Sequence, residues 1–154
     1  MGENAPTPIL KGRRLALDFG LSRIGVAVSD PDGQFAFPTT VIDTDAWEDD
    51  LARIIEEYQP VVIYVGYPVN LSGDAGSSAR LAREFAIEVA SQHSRLIRLV
   101  DERLTTKSAL SQMRASGKSE REGRGEIDAV AATLLLEGVL LTERNTGSYA
   151  GDEI

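Results

Sequence analysis

A chain of 154 residues, 42% apolar and 26% charged, is long enough for one domain with its own core. It has no cysteine and one histidine, His93, which excludes a disulfide framework and a thiolate metal site and argues against zinc; a metal would sit on carboxylates, which points to magnesium or manganese. No apolar run reaches membrane-helix length and no secretory core opens the chain, so a cytoplasmic protein with no membrane partner is expected, while the net charge of −8 argues on its face against nucleic acid.

Residues 1–11 read as a flexible leader, 12–142 as a single domain and 143–154 as a flexible tail. Residues 13–20 and 23–30 are two strands joined by a tight turn. Their apolar runs (Leu15, Ala16, Leu17; Ile24, Val26, Ala27, Val28) are nearly continuous, as in central strands covered on both faces. Gly20 and Gly25 would let backbone or phosphate come close. Asp18 stands among these apolar residues, where a bare carboxylate costs several kcal/mol unless it is paired or bound to a cation.

Pro31-Asp32-Gly33 signals a turn, so residues 35–42 pair back as a third antiparallel strand, and Pro38 marks that strand as an edge. Asp43, Thr44 and Asp45 offer caps for a helix carrying Trp47, Leu51, Ile54, Ile55 and Tyr58 at helical spacing, ended by Pro60. Residues 61–67 are a wholly apolar buried strand. A loop, PVNLSGDAG, leads to a helix over 77–93 with Leu81, Ala82, Phe85, Ala86 and Val89 inward. A strand over 95–102 follows, then a short helix from Thr105 or Thr106 to about residue 116, the flexible segment SGKSEREGRG, and a nearly all-apolar, buried helix over 126–142.

The order βββ-α-β-α-β-α-α predicts an α/β fold with a mixed five-stranded sheet. A three-strand antiparallel meander is joined to two parallel strands, with helices on both faces. Charge is unevenly spread over it. Residues 43–57 hold Asp43, Asp45, Glu48, Asp49, Asp50, Glu56 and Glu57 against Arg53. Residues 103–125 hold Arg103, Lys107, Arg114, Lys118, Arg121 and Arg124 against Glu120 and Glu122. Taken singly, most of these are ordinary mixed surface charge.

Three acidic positions converge in this topology. Asp18 ends the first strand, Asp101 and Glu102 end the last, and Asp128 lies in the first turn of the last helix. With the fourth strand between the first and fifth, Asp18 and Glu102 are two strand spacings apart, about 10 Å at the backbone. Inward side chains close that to the roughly 3.5–4 Å span of a metal pair. Alternation lets only one of Asp101 and Glu102 join Asp18, and Glu102 has the longer reach. Asp128 gains from the helix N-terminus, which also favours an incoming phosphate. Each acid alone has an ordinary structural role; the three together do not. Arg23 and Arg103 are placed to hold phosphates or to form surface ion pairs. Asn70 suits a nucleotide or its own turn, and Lys107 with residues 118–124 suits closure over nucleic acid or a plain loop. His93 reads as a helix end, and Trp47 and Tyr58 as core.

Through LALDFGLSRIGVAVSD (15–30), VGYPVNLSGDAG (65–76), VDERLTT (100–106) and EIDAVAA (126–132) the chain resembles the YqgF-type family of pre-16S rRNA nucleases, also described as Holliday-junction-resolvase-like. VDERLTT and the GxPxNxxG pattern on Gly66, Pro68, Asn70 and Gly73 are its specific parts, and the likeness spans nearly all of 13–142. It implies an RNase H-like fold, with Asp18, Glu102 and Asp128 as catalytic and metal-binding acids. It also implies two divalent cations and in-line hydrolysis of a phosphodiester that leaves a 5′-phosphate. The expected role is processing of the 5′ end of precursor 16S rRNA during ribosome biogenesis, with that RNA or the ribosome as partner. Two features depart from the family pattern: Glu126 stands where a basic residue is common, and Tyr67, Val69 and Ser72 vary the loop.

Three alternatives stand beside this expectation. One is a DNA junction resolvase, which needs a two-fold dimer. Another is an RNA-binding assembly factor with weak catalysis. The third follows from DFGLSRIGVAVSD, which also resembles the phosphate-binding hairpin of sugar-kinase and actin-like ATPases, but the second domain and second glycine-rich loop of that class are missing. Sequence alone leaves RNA against DNA, and monomer against homodimer, open.

Overall fold

The computed structural model describes residues 9–67, 77–102 and 120–154. Strands β1 (Arg14–Phe19), β2 (Arg23–Ser29) and β3 (Ala36–Asp43) form an antiparallel meander. Strand β4 (Val62–Tyr67) runs parallel to β1, and β5 (Leu96–Asp101) runs parallel to β4. A short β6 (Asp152–Glu153) closes the sheet antiparallel to β5, giving the order β3-β2-β1-β4-β5-β6. The expected five strands are present in the expected arrangement, and β6 is a sixth. The helix expected near residues 105–116 lies outside the described residues.

Alternation along the strands builds two core layers. Leu15, Leu17, Ile24, Val26, Ile63, Val65, Ile97 and Leu99 pack against helix α1 (Trp47–Tyr58) and helix α2 (Ser77–Gln92) through Trp47, Leu51, Ile54, Ile55, Phe85, Ala86 and Val89. Trp47 meets Phe85 edge-on with ring centroids 5.0 Å apart, as aromatic quadrupoles prefer. On the other face Ala16, Ala27, Val62, Tyr64 and Val100 meet helix α3 (Glu120–Thr146) through Ala132, Leu135, Leu136, Val139 and Leu140. Helices therefore cover both faces.

Local chemistry sets the ends of α1. The Asp43 carboxylate accepts the Asp45 N–H at 3.0 Å and opens a 3₁₀ turn, Thr44–Ala46, ahead of the helix. The helix stops at Gln59, whose φ of 47° is left-handed and whose N–H donates to the Ile55 carbonyl at 2.8 Å. Pro38 lies on edge strand β3 beside a bulge, where its missing N–H leaves no gap in the ladder.

Two expectations are corrected. Helix α3 starts at Glu120, so residues 120–125 of the segment expected to be flexible are helical. Two glycines in that stretch cost only about 1 kcal/mol each against alanine, and Glu and Arg are good helix formers. Residues 143–154, expected as a flexible tail, carry the end of α3, the buried Tyr149 and Ala150, and β6. A polar composition concealed this. Glu143 is buried because its carboxylate pairs with buried Arg14, at 2.9 Å from Nη2 and 3.0 Å from Nε, and accepts the Tyr64 hydroxyl at 2.6 Å. At the other end of the chain Leu10 donates its N–H to the Tyr149 hydroxyl at 2.9 Å.

Candidate functional site

Asp18 pairs in register with Gly25 of β2 on one side and Gly66 of β4 on the other. All three share the α3 face, because Ala16, Ala27 and Tyr64, two residues away on each strand, belong to the α3-side core. Neither neighbour has a side chain there, and α3 uses the space. A Cβ on Gly25 would lie 2.0 Å from the Asp128 carbonyl oxygen, and one on Gly66 would lie 2.5 Å from Leu135 Cδ2. The backbone that Gly25 admits is therefore the part of α3 that carries Asp128.

The third acid arrives from β5. Leu99 belongs to the α1/α2-side core and Val100 to the α3-side core. Alternation therefore turns Asp101 towards α1 and α2, and Glu102, the first residue after β5, lies within electrostatic reach of Asp18. Burial, then Glu102, then Asp128 push the Asp18 carboxyl up from its ordinary 3.8 to about 7. The structure thus brings Asp18, Glu102 and Asp128 within electrostatic reach at one end of the sheet and leaves Asp101 on the opposite face.

Arg23 answers part of this negative charge. Its Nε lies 2.8 Å from Asp128 Oδ2, the side chains being 37% and 27% exposed. Neither atom has a hydrogen-bond partner among the described residues, so the contact is electrostatic. The turn carrying Arg23 is pinned from β3's end: the Thr44 hydroxyl donates to the Gly20 carbonyl at 2.7 Å, and the Thr44 N–H to the Ser22 carbonyl at 3.1 Å. Sequence reasoning read Thr44 only as a helix cap; nothing local in the sequence signals its bond to a turn 24 residues earlier. Asn70, Arg103 and Lys107 lie outside the described residues.

Among the described residues, the acids around Asp18 offer carboxylate oxygens, which suit a hard divalent cation such as magnesium or manganese. A buried carboxyl driven up to about 7 by burial and two neighbouring acids marks a place short of positive charge. Among the described residues, no three acidic or histidine side chains already form a closed cage. The residues fit such an ion in type and placement, with Asp128 engaged by Arg23.

A family model described as "RuvX: Holliday junction resolvase" matches residues 12–142. A protein of Streptomyces avermitilis named "Putative pre-16S rRNA nuclease" is 40% identical over 148 residues, covering 94% of this chain and 95% of its own. One of the same name from Thermobifida fusca is 44% identical over 150 residues, covering 92% and 94%. Among solved structures, Thermus thermophilus RuvC in complex with a Holliday junction substrate superposes with a TM-score of 0.58 at 11% identity, over 93% of this chain and 99% of that one. At that identity the likeness speaks for the fold.

Proposed function

Because the chain belongs to the RuvX family, we propose that it is a divalent-metal-dependent endonuclease that trims the 5′ end of precursor 16S rRNA in the cytoplasm, working on the free RNA or on the ribosome. The observation that carries this reading is the convergence of Asp18, Glu102 and Asp128 on one end of the sheet, with burial and the other two acids pushing Asp18 up to about 7.

Asp18, Glu102 and Asp128 would hold magnesium or manganese as a pair; bound there, the ions supply an activated water and neutralise charge on the leaving oxygen. The other tasks fall to the chain itself. Gly25 lets the Asp128 turn of α3 rest on β2, so the Asp18 and Asp128 carboxylates are held by sheet and helix. Arg23, Asn70, Arg103 and Lys107 are assigned to the phosphate backbone and nucleotide, with the arginines suited to two-pronged phosphate contacts. The attack is in line and leaves a 5′-phosphate.

A second reading, a resolvase of four-way DNA junctions, is favoured by the name of the matched family and by the RuvC likeness. It requires a homodimer, whereas RNA trimming can be done by a monomer. The two readings separate in one assay. A precursor small-subunit RNA leader and a four-way DNA junction are incubated with wild type and Asp18→Asn, with magnesium or manganese. Cutting of the RNA alone, lost in Asp18→Asn, supports the ribosomal nuclease. Symmetric nicking of the junction supports the resolvase. Cutting that survives Asp18→Asn removes Asp18 from the catalytic set.

A further inference from the structure

The Arg23–Asp128 ion pair places a cation against one carboxylate oxygen of the acid cluster, and a divalent cation that takes that oxygen must displace the guanidinium. Arg23 opens β2 two residues before Gly25, on the same face, so it lies beside the point where α3 touches the sheet. Asp43, its register partner on β3, is occupied by the Asp45 N–H. Arg23 Nε faces Asp128 Oδ2 at 2.8 Å, with no hydrogen bond of its own among the described residues.

We propose that Arg23 is the resident counter-ion of Asp128 and competes with a divalent cation for it. In the protein without bound metal it neutralises Asp128 and keeps the cluster from opening through repulsion. When Asp128 is taken over by a cation, the guanidinium is released at the mouth of the site, one hairpin turn from Asp18, where its donors can turn to a phosphate of the nucleic acid. The same residue thus serves first as an internal cation and then as a phosphate contact, which couples metal loading to substrate capture. This rests on the nuclease reading for the identity of the site, and it makes a prediction about metal affinity whose sign is opposite to that of a simple support role. An arginine that merely props Asp128 in place for the metal would weaken metal binding when removed, whereas a competitor strengthens it.

The deciding measurement is Mn²⁺ binding by electron paramagnetic resonance, on the full chain without nucleic acid, for wild type, Arg23→Gln, Arg23→Lys and Asp18→Asn. The expected result is binding roughly tenfold tighter in Arg23→Gln, near wild type in Arg23→Lys, which keeps the charge, and lost in Asp18→Asn. In wild type, Mg²⁺ should also move the Arg23 Nε–H resonance in an NMR titration as Asp128 lets go. Unchanged or weaker Mn²⁺ binding in Arg23→Gln, with Asp18-dependent binding intact in wild type, overturns the exchange and leaves the nuclease reading standing. No Asp18-dependent binding in wild type overturns the metal reading and the exchange with it.

Discussion

At the scale of single residues, Asp18 sits in an environment far from that of a free carboxyl. It binds its proton more tightly in the folded chain than in the unfolded one, with 3.8 rising to about 7. Between those values folding takes up a proton, so in EDTA stability falls as pH rises through the window; below it both states are protonated, and above it the whole penalty is in place. Asp18→Asn removes the penalty. Denaturant titration at pH 8 in EDTA is expected to find the variant more stable by roughly 1–3 kcal/mol, with the slope between pH 4 and 7 flattened. A variant less stable than wild type at pH 8 would show that the carboxylate is already compensated without metal. Glu143 is the opposite case, a buried acid fully answered by Arg14 and Tyr64. Glu143→Gln leaves the Arg14 cation without its counter-charge and is expected to cost roughly 3–5 kcal/mol in urea unfolding. Since Arg14 and Asp18 stand at opposite ends of β1, the cleavage rate of the folded fraction should be unchanged.

At the scale of elements, the decisive contact is α3 on β2. The new methyl of Gly25→Ala would meet peptide backbone at Asp128, which cannot rotate away as a side chain can. Either α3 lifts or β2 bends, and Asp128 moves relative to Asp18. A shift of about 1 Å at a catalytic group can cost about a hundredfold in rate, so cleavage is expected to drop at least tenfold. Gly66→Ala meets the end of the Leu135 side chain and not backbone, and should be milder in both rate and melting temperature. Equal losses in the two variants would show that α3 is held as rigidly at Leu135 as at Asp128.

At the scale of the whole molecule, the two ends of the described chain meet on the α3 side. Ile9 packs against that core, Leu10 bonds Tyr149, and Ala150 donates its N–H to the Tyr64 hydroxyl at 3.4 Å. Tyr149→Ala is expected to cost about 3 kcal/mol in global unfolding, as buried aromatic truncations do. Loss of a single local phase by hydrogen exchange, with the global transition unmoved, would instead mark the terminal segment as a separate unit. The proposed metal site makes a prediction at the same scale: an ion bound there only by the folded state raises stability, so Mg²⁺ should raise the melting temperature of wild type at pH 8 and not that of Asp18→Asn. An equal rise in both would place the ion elsewhere.

The sequence by itself determined the first five strands and their order, because apolar alternation and turn chemistry are local properties that a two-sided sheet must obey. Asp18 stood out as a carboxylate in an apolar strand; alternation allowed only one of Asp101 and Glu102 to join it, and the longer reach of Glu102 selected it before any coordinates. Only the tertiary structure decided which charges meet. The pairing of Arg23 with Asp128, of Arg14 with Glu143 and of Thr44 with Gly20 joins residues 105, 129 and 24 positions apart. A charged side chain shows in the sequence that it needs a partner; which partner it receives depends on how the layers pack. The same reason hid the C-terminal segment: its polar residues looked solvated until Glu143, Tyr149 and β6 were seen to complete a buried network and a sheet edge.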